Sequence, residues 1–260
     1  MKIFLKNKLI LLVLIALPLN FASANQLKPL TLEAEDGARI TGFVFEEKDT
    51  PASAPIALMF HGMTRSSLDW LADGFPTYGG KVSEILLAKG YRLVAVDARA
   101  HGVRKESLSP YKRVKALHSG NTAPYIEMIE KSVDDYRLVL AHIKEKYPEA
   151  TQILAIGYSM GSQMAIMTTA KNPAITHLIT MVPPHVGEAE SVAPRTFSAN
   201  VNTPWLLLTA SKDQFSTQEQ YAALAAAGTG PTEHQIFEGG HALPETYLAT
   251  IEEWLKTIDK

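Results

Sequence analysis

Three side chains in this 260-residue sequence have the types that acyl transfer needs: Ser159, Asp213 and His241. A serine hydroxyl is a weak nucleophile at neutral pH, so it needs an imidazole to take its proton, and the imidazole needs a carboxylate to fix its tautomer. Ser159 sits in Gly157-Tyr158-Ser159-Met160-Gly161, between the apolar run Ile153–Ile156 and a segment with helical spacing at Met164, Ala165, Met167 and Thr168. That pattern reads as a strand, a tight turn and a helix. A serine in such a turn is strained and stands clear at the carboxyl end of the strand. The two glycines fit a crossing too close for a β-carbon. The backbone N–H of Met160, at the helix start, points where a carbonyl oxygen gains negative charge during attack on an ester or amide.

By chance alone, G-x-S-x-G recurs in about one chain of this size in ten or twenty, so its setting decides its meaning. In order, Leu30–Ala34 and Arg39–Glu46 read as strands joined at Asp36-Gly37, a hairpin signal. Ile56–Phe60 is a short buried strand running into His61-Gly62-Met63. Residues 63–77 read as a loop, 80–88 as a helix and Tyr91–Val96 as a strand ending at Asp97. Residues 101–124 show little periodicity. A helix with apolar positions Ile129, Val133, Tyr136, Val139, Leu140 and Ile143 follows and closes before Pro148. Beyond the serine turn come a strand at 175–182, an irregular connection at 183–202, a strand at Trp205–Thr209, an Ala-rich helix at 217–227, a strand at His234–Phe237 and a helix at 243–258. Strands alternating with helices imply a parallel sheet covered on both faces.

Ligands of such sheets collect outside the carboxyl ends of the strands. The reactive residues found there are His61-Gly62-Met63, Ser159, Asp213 and His241, the last three in the order Ser, Asp, His. With His61-Gly62, the run Asp97-Ala98-Arg99-Ala100-His101-Gly102, the serine pentapeptide, Asp213 and Gly240-His241, the chain resembles the α/β-hydrolase fold family from Leu30 to Lys260. The resemblance implies an α/β architecture with a mostly parallel eight-stranded sheet and helices on both faces. It also implies a Ser159/Asp213/His241 triad and an oxyanion hole made by the Met63 and Met160 N–H groups. Ala100 stands where many relatives have glycine. The acid follows the sixth strand in some members, which leaves Glu188 and Glu190 as alternatives to Asp213. His61 and Asp97 are expected to order loops.

Candidate pocket residues are Arg65, Trp70, Tyr111, Tyr125, His185 and Phe215. Residues 102–124 form a small cap-like insertion. Within it Arg104, Lys105, Lys112, Arg113 and Lys115 face a single Glu106, so either a solvated basic face or recognition of an anionic substrate is expected. The implied function is hydrolysis of a small-molecule carboxylic ester, with an amidase, peptidase or acyltransferase open on the same residues. A non-catalytic module of this fold usually lacks a triad member, and none is missing here.

Residues 1–24 read as a secretory signal peptide. Lys2, Lys6 and Lys8 precede the apolar run Leu9–Leu17, and Ala22-Ser23-Ala24 offers a cleavage site. The expected product is a single exported domain, 25–260, periplasmic or secreted, with no remaining membrane anchor. Without the leader 22 basic residues stand against 27 acidic ones, which argues against a nucleic-acid or anionic-membrane partner. There are no cysteines, and the eight histidines show no metal-binding spacing, so neither a metal nor a cofactor is expected.

Overall fold

A computed structural model describes residues 25–258; the expected signal peptide, residues 1–24, lies outside these residues. Eight strands form one sheet: β1 (Asn25–Glu33), β2 (Arg39–Glu47), β3 (Ile56–Phe60), β4 (Arg92–Val96), β5 (Ile153–Tyr158), β6 (His177–Met181), β7 (Trp205–Ala210) and β8 (Thr232–Phe237), in the spatial order β1-β2-β4-β3-β5-β6-β7-β8. β2 pairs antiparallel with both β1 and β4, and every pair from β4 to β8 is parallel. The first hairpin turns at Gly37, whose φ of +76° suits a residue without a β-carbon.

Strands β3 to β7 are buried along nearly their whole length, which is why they read as unbroken apolar runs. Alternate residues serve opposite faces. Ile56, Leu58 and Phe60 pack in one layer with helices α3 (Ala123–Lys146) and α4 (Met160–Lys171), whereas Ala57 and Met59 pack in the other with α1 (Gly79–Ala88) and α7 (Tyr247–Ile258). The chain winds outward from β3 to β4, then returns across β3 to β5 and on to β8. The strand order therefore reverses between β3 and β5, and a crevice opens outside their carboxyl ends, where His61–Met63 and Ser159 lie.

Three expected irregular stretches contain helix. Residues 63–77 hold a short 3₁₀ turn at Ser67–Leu71, and 183–202 hold a further turn at Glu190–Val192 followed by α5 (Pro194–Ser198). Within 101–124 lies α2 (Pro110–His118). Ser109 caps it, its hydroxyl accepting the Lys112 N–H at 3.4 Å, and Pro110 opens the first turn. Its apolar face is thin, which hides the period. Thr217 and Gln220 form a reciprocal cap on α6 (Gln218–Ala227). Among the described residues, no helix is long and apolar enough to cross a membrane.

Candidate active site

The turn between β5 and α4 places Ser159 at φ 56°, ψ −119°, a conformation rare for a residue with a side chain. The surroundings enforce it. A β-carbon on Gly161 would lie 2.0 Å from Phe60 O, and one on Gly157 would lie 2.4 Å from the Gly161 carbonyl, so β3, β5 and α4 meet this closely only through glycine. The Ser159 N–H donates to Met181 O at 2.8 Å, and the Ser162 hydroxyl accepts the Met181 N–H at 2.9 Å, tying the turn to β6.

The loops after β7 and β8 bring Asp213 and His241 to the same place. His241 Nε2 lies 2.7 Å from Ser159 Oγ, and His241 Nδ1 lies 2.9 and 3.1 Å from the two Asp213 oxygens. An Nδ1–H donated to the carboxylate leaves Nε2 as the acceptor for the serine proton. The Asp213 side chain is fully buried. Burial pushes its carboxyl up, but hydrogen bonds from His241, Tyr221 and the Phe215 N–H outweigh this and hold it below the usual carboxylate range. Two of these donors lie outside the Ser159–His241 pair: Tyr221 OH at 2.5 Å from Oδ2 and the Phe215 N–H at 2.8 Å from Oδ1. Glu188 and Glu190, the alternative acids, instead pair with His118 at 3.3 Å and Arg195 at 3.1 Å.

Tyr158, next to the serine, anchors the imidazole loop. Its hydroxyl donates to His241 O and accepts the Leu243 N–H, both at 2.9 Å, and burial pushes its ionisation up to about 12, so it remains a neutral donor. Neither Tyr158 nor Tyr221 was identifiable from local sequence. Tyr158 at least falls inside the serine pentapeptide, whereas Tyr221 lies in α6, the helix after the Asp213 loop, with no motif around it.

The Met160 N–H opens α4 and the Met63 N–H sits in the loop after β3; among the described residues neither has a hydrogen-bond acceptor. His61 stabilises that loop. Its Nδ1–H donates to Gly62 O at 2.9 Å and its Nε2 accepts the Ala98 N–H at 2.9 Å, and burial lowers its pKa to about 4, so the ring is neutral. Asp97 accepts the Ser67 N–H (2.7 Å) and hydroxyl (2.8 Å) and the Val103 N–H (2.9 Å), the work of a loop-ordering carboxylate. Ala100 holds φ 64°, so the turn where glycine is common keeps its left-handed shape despite the methyl group.

Residues 58–199 match the profile of the family described as serine aminopeptidase, S33. The chain belongs to this family of α/β-hydrolases. The S33 match holds the β3 loop and Ser159 but ends before Asp213 and His241, which the fold delivers from beyond it. No relative of curated function matches the sequence. Solved structures with the same fold include the Pyrococcus furiosus esterase Pf2001 (20% identity, TM-score 0.65, 90% of each chain covered). A cold-adapted esterase from an Arctic intertidal metagenomic library gives 19% identity and a TM-score of 0.69, covering 90% of this chain and 94% of its own. Est1E from Butyrivibrio proteoclasticus, solved with ferulic acid, gives 16% and 0.64, covering 88% and 97%.

Beside Ser159 this S33-family chain has a cavity of about 270 Å³ walled by Tyr111, Val114 and Leu117 of α2, by Tyr125, and by His185, Val186 and Phe215. The Tyr125 hydroxyl donates to Gln163 Oε1 at 2.7 Å. Of the six pocket candidates, Tyr111, Tyr125, His185 and Phe215 line this cavity; Arg65 and Trp70 do not. Trp70 is a core residue packed with Val82 and Leu86 on the opposite face of the sheet, because the 3₁₀ turn at 67–71 rotates it inward. Arg65 points into a different hollow. The cap's arginines are also occupied. Arg104 pairs with Asp135 at 2.7 Å, and Arg113 donates to Leu108 O, Pro124 O and Glu106. Lys112 and Lys115 are exposed and lie outside the cavity lining. Among the described residues no cluster of three or more His, Asp or Glu is placed to hold a metal.

Proposed function

We propose that this S33-family α/β-hydrolase is an exported serine hydrolase that cleaves carboxylic esters with an apolar group. The observation that carries the reading is the 2.7 Å approach of His241 Nε2 to Ser159 Oγ with Asp213 behind the ring, at the mouth of an apolar cavity. His241 takes the hydroxyl proton as Oγ bonds to the acyl carbon, and the carbonyl electron pair moves to an oxygen facing the Met63 and Met160 N–H groups. As the tetrahedral adduct collapses, the C–O bond to the alcohol breaks and His241 gives its proton to the leaving oxygen. Water then attacks the acyl-enzyme, with the same imidazole taking its proton, and the carboxylic acid leaves with Ser159 restored. Asp213 stays ionised and stabilises the imidazolium that forms twice per cycle.

An aminopeptidase reaction, suggested by the family's description, is less well supported: a peptide's terminal ammonium needs a carboxylate, and none lines the cavity beside Ser159 among the described residues. The solved relatives of the same fold described as esterases point the same way. Export rests on the leader-like residues 1–24.

The test is a set of p-nitrophenyl esters of graded chain length beside aminoacyl p-nitroanilides, with native protein and Ser159→Ala. Ester turnover that falls by at least about 10³-fold in the variant is expected. Faster cleavage of the anilides would make the protein a peptidase, and undiminished turnover by the variant would remove Ser159 from the mechanism.

A further inference from the structure

The loop that carries the Met63 N–H separates two hollows. The apolar cavity lies over the ends of β5 to β7. The second hollow, larger at about 580 Å³, lies over β2 and β4, between Thr41–Phe43, the 64–69 loop and residues 102–105. Thr64 lines both, with a left-handed φ of 63° that is costly for a β-branched residue and fixes the ridge between them. The two hollows are thus neighbouring arms that adjoin at Thr64, with Ser159 lining the first.

Arg65 is the first side chain on the second arm. Its Cγ and the Ser159 Cβ lie 3.9 and 3.8 Å from the point a β-carbon on Gly62 would occupy, so both side chains flank Gly62. From there the guanidinium reaches into the hollow. Its side chain is 42% exposed, and its one ion pair among the described residues, to Asp69 Oδ1 at 3.7 Å, is too long for a hydrogen bond. Lys105, which lines the same hollow, is exposed and has no ion pair among the described residues.

Two carboxylates also line this hollow, Asp97 held by loop hydrogen bonds and Asp69 with its Oδ1 turned toward Arg65. Asp97 is saturated by Ser67 and Val103, and Asp69 Oδ2 accepts the Thr77 hydroxyl at 2.9 Å. The side-chain donors left uncommitted there belong to cations: the Arg65 guanidinium fork, which has only the loose Asp69 contact, and the Lys105 ammonium. This donor set matches a carboxylate, which a guanidinium grips through two parallel N–H groups.

Resting on the esterase reading, we propose that the second arm is a subsite for a carboxylate carried by the substrate. The preferred substrate class is then an ester with an apolar half against Tyr111 and Leu117 and another half ending in a carboxylate held by Arg65 and Lys105. This narrows the anionic-substrate alternative raised by the cap's composition: Lys105 of the cap lines the hollow with Arg65 of the β3 loop, whereas Lys112 and Arg113 do not.

The experiment compares kcat/KM for four esters: p-nitrophenyl butyrate, mono-p-nitrophenyl glutarate with its carboxylate on the acyl side, 3-carboxy-4-nitrophenyl butyrate with its carboxylate on the alcohol side, and the p-nitrophenyl ester of 4-(trimethylammonio)butyrate. One of the two carboxylate esters is expected to exceed the neutral ester by about tenfold, the advantage a partly exposed charge pair supplies. That ratio is expected to fall toward one in Arg65→Gln, to fall partway in Lys105→Gln, to be partly kept in Arg65→Lys, and to shrink as salt is raised from about 0.05 to 0.5 M. Carboxylate esters no better than the neutral one, a preference for the ammonium ester, or an advantage that survives loss of both cations would overturn the proposal. If no ester is turned over by folded protein, the esterase reading fails instead. The subsite is then read without turnover, by whether N-benzylglutaramic acid raises the Tm of Ser159→Ala protein and not of the Ser159→Ala, Arg65→Gln double variant. Equal shifts, or none, overturn it.

Discussion

Replacing Tyr221 by Phe removes one hydroxyl and leaves the packing of a buried ring unchanged, so it isolates what that hydroxyl does for the carboxylate behind the imidazole. In the native site Asp213 Oδ2 is shared by the Tyr221 hydroxyl at 2.5 Å and His241 Nδ1 at 2.9 Å, while Oδ1 takes the Phe215 N–H at 2.8 Å. A hydrogen bond to a buried charge is worth about 1.5–3 kcal/mol, and Tyr221→Phe is expected to lose that much stability at neutral pH. In a domain of this size the loss lowers Tm by roughly 4–10 °C. The catalytic effect has a distinct sign. Without the tyrosine the carboxylate carries more of its charge and becomes more basic, so it stabilises the imidazolium of His241 more strongly. The acid limb of kcat/KM against pH should therefore move to higher pH. The assay is a pH profile of p-nitrophenyl butyrate hydrolysis for both proteins beside their melting curves. A lowered Tm with an unmoved acid limb, or one moved to lower pH, would refute the reasoning and leave Tyr221 as packing alone.

Gly161→Ala places a β-carbon 2.0 Å from Phe60 O and 2.8 Å from His61 O, both backbone atoms that cannot rotate away. The start of α4 must shift by about 1 Å, a displacement that costs on the order of 10²-fold in kcat, so folded Gly161→Ala protein with native turnover would contradict the elbow geometry. Stability should also fall in mild acid. His61 is held near a pKa of about 4 by burial, and burial likewise lowers its ring neighbour His101, whose centroid lies 5.1 Å away. Between the ordinary histidine value and the folded one, the unfolded chain binds protons that the folded chain refuses, so stability is complete above about pH 6.5 and is lost as pH falls towards 4. His61 alone contributes a loss on the order of 3 kcal/mol over that window. Urea midpoints measured from pH 7.5 to 4.5 should begin to drop near pH 6.5, and a flat profile down to 4.5 would show that these rings accept protons freely in the folded state.

The parts of the fold that were legible in sequence are those where one physical demand dominates. Fully buried parallel strands must be apolar throughout, so Ile56–Phe60, Ile153–Ile156 and Trp205–Thr209 stand out in the sequence. The glycines at 157 and 161 and the positions of Asp213 and His241 just after strand ends followed from the same topology. What escaped depends on side-chain direction and on contacts made at a distance. Trp70 and Arg65 sit five residues apart in one loop, yet a single 3₁₀ turn buries the first in the far layer and leaves the second above the crevice. The α2 helix carries too few apolar residues to display a period, although Ser109-Pro110 is a start signal that could have marked it. The tyrosines that hold the acid and the base loop act through hydroxyl groups whose partners only the folded chain reveals.

The account stands or falls on Ser159 as an activated nucleophile. The most direct measurement treats folded native protein, Ser159→Ala and His241→Ala with a fluorophosphonate and maps the modified peptide by mass spectrometry. The account predicts one adduct, on Ser159 of the native protein, none on Ser159→Ala, and labelling slowed by at least about 10²-fold in His241→Ala. An unmodified Ser159 in folded native protein, or labelling that proceeds undiminished without the imidazole, would contradict it.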